Sequence, residues 1–88
     1  MKLEEFKKQI NNLFPIDNID VKIKGNYYCA CFYREPMADN YPVVAYISTK
    51  YVGDSVVSSD NPVLAPRTDM TLVRDLVRTF ANTPLEER

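Results

Sequence analysis

The chain has 88 residues and a net charge of −1, from 11 lysines and arginines against 12 aspartates and glutamates. This size predicts a single small domain over residues 1–88, and the balanced charge gives no global field that would hold nucleic acid or an anionic membrane. The apolar runs are far shorter than the roughly 20 residues that span a bilayer, and the N-terminus lacks a signal-peptide core. We therefore expect a cytoplasmic protein without a membrane partner.

One helix is predicted near each end of the chain. From about Lys2 to Leu13 apolar residues recur at helical spacing, and Pro15 ends this helix because it disfavours helical geometry at Phe14. A second helix is indicated towards the C-terminus by an apolar stripe of the kind that faces a core. Its members are Leu72, Val73, Leu76, Val77 and Phe80.

Between the helices, Gly25-Asn26 separates two β-prone runs. Glycine adopts positive φ at no steric cost, so this dipeptide favours a two-residue hairpin turn. Such a turn pairs Lys24 with Tyr27 and Ile19 with Phe32, which fixes the register of the whole hairpin.

That register assigns each hairpin side chain to one of two sheet faces. The face expected to pack in the core holds Ile19, Val21, Ile23, Tyr28, Ala30 and Phe32. The opposite face holds Asp20, Lys22, Lys24, Tyr27, Cys29, Cys31 and Tyr33.

A third strand is predicted from Pro42 to about Val52. In it, Val43, Ala45 and Ile47 would face the core, and Val44, Tyr46, Ser48 and Lys50 would face the other way. Gly53-Asp54 then indicates a second turn into a short strand over residues 55–58. The fold class that follows is α+β: an antiparallel meander of three or four strands, with the N-terminal and C-terminal helices packed on one sheet face.

After the second helix, Thr83-Pro84-Leu85-Glu86 has the pattern of a capping box with proline at the first helical position. We expect residues 83–88 to form either a short extra helical turn or a tail. The closing stretch Thr79–Arg88 resembles, mainly through Ala81–Arg88, segments of small uncharacterised proteins from phages and prophages of low-GC Gram-positive bacteria. That resemblance implies a phage origin and assigns no activity or functional residue.

Catalytic chemistry is not expected. The chain has no histidine, so it lacks the usual general base at neutral pH, and its two glycines stand apart, so no glycine-rich phosphate loop exists. On one strand, Cys29 and Cys31 would lie about 6.6–7 Å apart at Cα, at or beyond the disulfide limit. They therefore read as reduced thiols and offer only two of the four ligands of a zinc site. We predict no enzyme, no cofactor and no metal site.

Binding is the remaining chemistry, because helices on one face would leave the other presenting aromatic side chains. The partner would be a host or phage protein, or a second copy of the chain. Two alternatives stay open: the face is ordinary core, as the tendency of cysteine to be buried favours, or it stacks single-stranded nucleic acid, the less favoured partner. The candidate partner-binding residues are Tyr27, Tyr33, Tyr46, Lys22, Lys24, Met37 and Tyr41.

Overall fold

The computed structural model describes residues 1–14, 19–32, 43–57 and 70–88. They form two α-helices, a four-stranded antiparallel sheet and one short 3-10 turn. In chain order the elements are α1 (Leu3–Leu13), β1 (Ile19–Lys24), β2 (Tyr27–Phe32), β3 (Val43–Ser48), β4 (Ser55–Val57), α2 (Met70–Ala81) and the 3-10 turn η1 (Leu85–Glu87).

The predicted hairpin register is confirmed along its whole length. The backbone pairs Lys24 with Tyr27 and Ile19 with Phe32, with no extra residue between. Gly25 has φ of 59°, whereas Asn26 does not have positive φ. A positive φ at the first central position only is the pattern of a type II′ turn, whose twist matches that of the flanking strands.

The strands follow one another as β1-β2-β3-β4, and both helices pack on one face of this sheet, as predicted. Phe6 of α1 and Phe80 of α2 stack with ring centroids 4.5 Å apart, and Tyr28 of β2 meets Phe80 edge-on at 5.5 Å. Ala30, Ala45 and Ile47, on the face beneath the helices, are fully buried. We call this the helix side of the sheet and the opposite one the far face.

The predictions that Val44 lies on the far face and that Val43 faces the core are both wrong. The register between β2 and β3 shifts after Ala30, where Cys31 pairs with Val43 instead of Val44. This irregularity leaves one extra residue in β3, and a β-bulge of this kind breaks the simple alternation of faces. Val44 consequently joins the core cluster on the helix side together with Ala45.

The third strand is also shorter than predicted, ending at Ser48 instead of near Val52. The hydroxyl oxygen of Ser48 accepts hydrogen bonds from the backbone N–H groups of Lys50 and Tyr51, at 3.1 and 3.0 Å. A serine hydroxyl that bonds backbone N–H groups two or three residues later in the chain favours a turn over continued pairing with a neighbouring strand. The chain therefore turns at Ser48 and reaches Gly53, whose φ is 84°.

Residues 83–88 form a docked tail that includes the 3-10 turn η1. The guanidinium of Arg88 donates to three backbone carbonyls, those of Thr83 (3.1 Å), Ser48 (2.6 Å) and Ala81 (2.8 Å). It also lies 5.2 Å from the centroid of the Phe80 ring. Arg88 thus ties the end of α2 to β3 and covers the aromatic core.

The capping box expected at Thr83 does not form, since η1 has no side-chain cap. The Thr83 hydroxyl instead donates to the carbonyl of Thr79 at 2.9 Å and accepts from the Met1 amino group at 3.0 Å.

Within α2, Leu72 departs from the predicted stripe because it is exposed, while Val73, Leu76, Val77 and Phe80 are buried. In the parts of the chain that the structure describes, no helix combines the length and apolar character needed to cross a membrane.

Candidate binding surface on the far face of the sheet

The two cysteines of the far face are buried. Cys29 and Cys31 are each only 2% exposed, so the expectation that they belong to an open surface is wrong. Cys29 lies in β2 between two cross-strand neighbours that have longer side chains, Lys22 on β1 and Tyr46 on β3. The thiol of Cys31 donates to the backbone carbonyl of Asp20 at 3.5 Å. This strip of the far face is therefore part of the protein interior.

Both thiols are free, as the sequence predicted. Burial raises the pKa of Cys29, and the ammonium group of Lys24 acts in the opposite direction. Burial likewise raises the pKa of Cys31, against which Lys22 acts most strongly. A raised pKa keeps a thiol protonated and poorly nucleophilic at neutral pH, so these cysteines are packing residues here.

Tyr27 and Tyr46 form an exposed aromatic pair on the same face. Tyr27 is 41% and Tyr46 is 38% exposed, and their rings meet edge to face with centroids 6.3 Å apart. In this geometry the positive edge of one ring points at the negative face of the other. The pair is held on adjacent strands, so a partner would meet two fixed aromatic rings instead of two mobile ones.

The predicted lysines lie beside this pair on β1. Lys24 is exposed at the hairpin turn, and Lys22 is half-exposed with its ammonium 3.7 Å from a carboxylate oxygen of Asp20. The Asp20 carboxylate offsets part of the positive charge of Lys22. The far face therefore offers a weakly cationic border to the aromatic pair instead of a strong cationic stripe.

Three predicted binding residues, Tyr33, Met37 and Tyr41, lie outside the described residues. The structure therefore brings four of the seven candidates together: Tyr27, Tyr46, Lys22 and Lys24.

Additional exposed apolar residues, which the sequence did not indicate, lie at the same end of the sheet as the aromatic pair. In an antiparallel meander the β1–β2 turn and the β3–β4 connection lie at the same end of the sheet, and the backbone N–H of Thr49 donates to the carbonyl of Asn26 there at 2.8 Å. Of the eight large exposed apolar side chains in the described ranges, six are at this end. These six define the turn-end surface: Ile23, Tyr27, Tyr46, Tyr51, Val52 and Val56.

Three of these additions had a local signal that was open to the opposite interpretation. By strand alternation Ile23 belongs to the helix side of the sheet. Only Lys24 separates it from the turn, however, and at that position Ile23 is exposed. Tyr51 and Val52 are β-prone, and only the Ser48 turn ahead of them places them in a connection. Val56 pairs with Tyr46 across the sheet and is 61% exposed, so it extends the aromatic pair onto β4.

Comparison of the chain with family models, with curated proteins and with solved structures found no significant match.

Proposed function

We propose that this protein is a small non-enzymatic accessory protein that acts by binding another protein, or a second copy of itself, through the turn-end surface. The observation that carries the proposal is the concentration of exposed apolar side chains at one end of the sheet, around the Tyr27–Tyr46 pair. Contiguous exposed apolar patches on soluble proteins mark interaction sites. Tyrosine is enriched in such sites because it combines a large apolar ring with a polar group.

A stable interface needs about 800 Å² on each partner, which two tyrosines alone do not provide. The turn-end surface reaches further because Tyr51 and Val52 project from the β3–β4 connection and Val56 extends it along β4. Exposed polar residues at the same end, Lys24 and Lys50, would form the rim. An apolar centre with a polar rim is the usual anatomy of a protein interface.

Single-stranded nucleic acid is the rival ligand, and the charge distribution favours protein over it. Affinity for nucleic acid comes mainly from cations that neutralise phosphates, whereas Lys22 lies beside Asp20 and the chain carries a net charge of −1. The Tyr27 and Tyr46 rings also meet edge to face, so one ring face is occupied by its neighbour. Base stacking needs an open ring face.

The accessory role and the phage origin rest on different grounds. The resemblance of Ala81–Arg88 to small phage and prophage proteins supports an origin in a phage genome. For such a protein, a host or phage protein in the cytoplasm is the natural partner.

Site-specific photocrosslinking tests the proposal. A photoreactive phenylalanine derivative is placed at Val56, within the turn-end surface, or as a matched control at Leu72, an exposed apolar residue of α2. Each protein is irradiated in lysate of the host cell, and the purified protein is irradiated alone to detect self-crosslinking. We expect a discrete adduct from position 56 that disappears in the Tyr27→Ser/Tyr46→Ser background, and none from position 72.

Equal labelling from positions 56 and 72, or an adduct that persists without the two tyrosines, would contradict a specific turn-end surface. The nucleic-acid alternative is tested separately by retention on single-stranded oligonucleotides at rising salt. Retention that falls steeply with salt and requires Tyr27 and Tyr46 would favour nucleic acid over protein.

A further inference from the structure

The outer edge of β4 has backbone groups that point away from the sheet. The backbone N–H of Ser48 donates to the carbonyl of Asp54 at 2.9 Å, and the next residue pairs in this register are Ile47 with Ser55 and Tyr46 with Val56. Because bonded and non-bonded pairs alternate in an antiparallel ladder, Val56 bonds to β3. Ser55 and Val57 therefore direct their N–H and C=O groups outward, and no described residue bonds to them.

Two arginines of α2 stand over this edge. Arg74 and Arg78 are four residues apart, so they lie on the same face of the helix. Both are exposed, and neither guanidinium has an ion-pair or hydrogen-bond partner within the described ranges. They border an open pocket of about 370 Å³ whose lining is Gly53, Ser55, Val57, Arg74, Val77 and Arg78.

We propose that the β4 edge and the two arginines bind an extended acidic segment of a partner protein, which adds to the sheet as a fifth strand. Strand addition uses outward backbone groups for affinity and alternate side chains for specificity. Residues of the added strand opposite Ser55 and Val57 would stand on the same sheet face as those two residues. That is the pocket side, so an aspartate or glutamate there would meet Arg74 and Arg78.

The chemistry of the pocket selects a peptide carboxylate in particular. Arginine binds carboxylates through paired N–H donors in a fixed fork, and the outward backbone groups of Ser55 and Val57 require a partner that has both donors and acceptors. A free phosphate would use the arginines and leave the backbone edge unpaired. An extended acidic segment satisfies both features at once.

The opposite edge of the sheet is less suited to strand addition. At β1, the side-chain amide of Asn11 accepts from the backbone N–H of Ile19 at 2.8 Å and donates to its carbonyl at 2.9 Å. Asn11 thereby occupies the outward groups at one end of that edge. Lys22 and Lys24 also lie on β1, and lysines on an edge strand oppose pairing with another chain.

The β4 site and the turn-end surface share strand β4, which carries Val56, but their other binding groups lie apart: Arg74 and Arg78 are on the helix side of the sheet, and Tyr27 and Tyr46 are on the far face. The test uses the full chain labelled with 15N and a short synthetic peptide with glutamate at alternate positions. A peptide with glutamine in their place is the control. We expect the glutamate peptide to shift and protect the amide signals of Ser55 and Val57, and to bind at least about tenfold more tightly than the glutamine peptide.

The double variant Arg74→Gln/Arg78→Gln is expected to weaken binding of the glutamate peptide by about tenfold or more. The variant Lys2→Gln/Lys8→Gln removes the same charge from exposed positions elsewhere and should bind normally. The Tyr27→Ser/Tyr46→Ser variant should also bind normally, which separates this site from the proposed function.

Three results would overturn the strand-addition site. The first is the absence of shifts at Ser55 and Val57 with about 1 mM peptide, which is the weak end of specific binding. The second is equal affinity for the glutamate and glutamine peptides. The third is that inorganic phosphate alone reproduces the arginine shifts and blocks the peptide while the edge amides stay unchanged, which would make this a plain anion pocket.

Discussion

The helix side and the far face of the sheet are built by the same alternation of side chains, yet they differ in what lies across from them. On the helix side, two helices close over the strands, and a stack of Phe6 and Phe80 fills the centre. On the far face, Cys29 is buried whereas Tyr27, two residues away on the same strand, is 41% exposed. Alternation therefore assigns a residue to a face but does not decide whether that part of the face is accessible.

The two faces therefore differ in which residues are accessible to a binding partner. The far face is divided into a buried cysteine strip and an exposed aromatic pair, and the pair belongs to the proposed turn-end surface together with Tyr51, Val52 and Val56. The helix side, by contrast, contributes Ile23 to the proposed turn-end surface, and at its β4 border Arg74 and Arg78 line an open pocket. Each of the following substitutions probes one side of this contrast.

The largest effect is expected at the aromatic core of the helix side. Phe80→Ala should lower the free energy of unfolding by about 3–5 kcal/mol, because it removes a fully buried ring and leaves a cavity. Leu72→Ala in the same helix is the matched control and should cost less than about 1 kcal/mol, since Leu72 is exposed. Urea unfolding measures both, and equal losses would mean that the helix side is not the main core.

Arg88 should show an effect of intermediate size. Its guanidinium makes three hydrogen bonds to backbone carbonyls and covers Phe80, so Arg88→Ala should lower the free energy of unfolding by about 2 kcal/mol. Arg88→Lys keeps the charge, but its single ammonium nitrogen lacks the planar fork of donors with which arginine reaches three carbonyls. We expect it to restore less than half of the loss, and an unchanged stability in Arg88→Ala would show that the tail does not hold the core.

The buried cysteine strip predicts a dependence of stability on pH. Burial raises the thiol pKa values of Cys29 and Cys31 in the folded state, so the unfolded chain loses these protons first, from about pH 8.5. The stability that the buried thiols contribute is therefore complete below that pH. It should fall as pH rises, by at most about 1.4 kcal/mol per pH unit for each thiol.

The control for that experiment is Cys29→Ala/Cys31→Ala, which leaves every tyrosine and lysine in place. Its unfolding free energy, measured in urea with a reductant between pH 7 and 9.5, should fall less steeply than that of the natural sequence. Identical slopes in the two proteins would show that these thiols are not buried.

Local signals were sufficient to predict most of the backbone. Gly25 required a turn, the turn set the register, and the register placed the described residues 19–24 and 27–31 on their correct faces. The β-bulge at Val44 escaped prediction because Val43 and Val44 are chemically alike, so no polar residue marked the break in alternation. The end of β3 was not predicted because serine occurs in strands as well as in turns, so Ser48 did not mark the point where the strand ends.

The candidate site was predictable only in part, because exposure depends on tertiary neighbours. Strand alternation alone placed four candidate residues on one face, and the structure agrees. These residues are Tyr27, Tyr46, Lys22 and Lys24. Cys29 is buried although it shares a face with the exposed Tyr27, and Ile23 is exposed although it shares a face with the buried Val21. Neither follows from the alternation of the strand that carries the residue.

The unfolding free energy of the Tyr27→Ser/Tyr46→Ser variant tests the division of the far face most directly. Half-exposed side chains at the end of a sheet contribute little to folding, so we predict that the variant loses no more than about 1 kcal/mol and still keeps Cys29 and Cys31 unreactive towards a thiol reagent without denaturant. A loss of about 3 kcal/mol or more, the scale of a core truncation, or rapid labelling of both thiols in the variant, would mean that the tyrosines belong to the core and not to a binding surface.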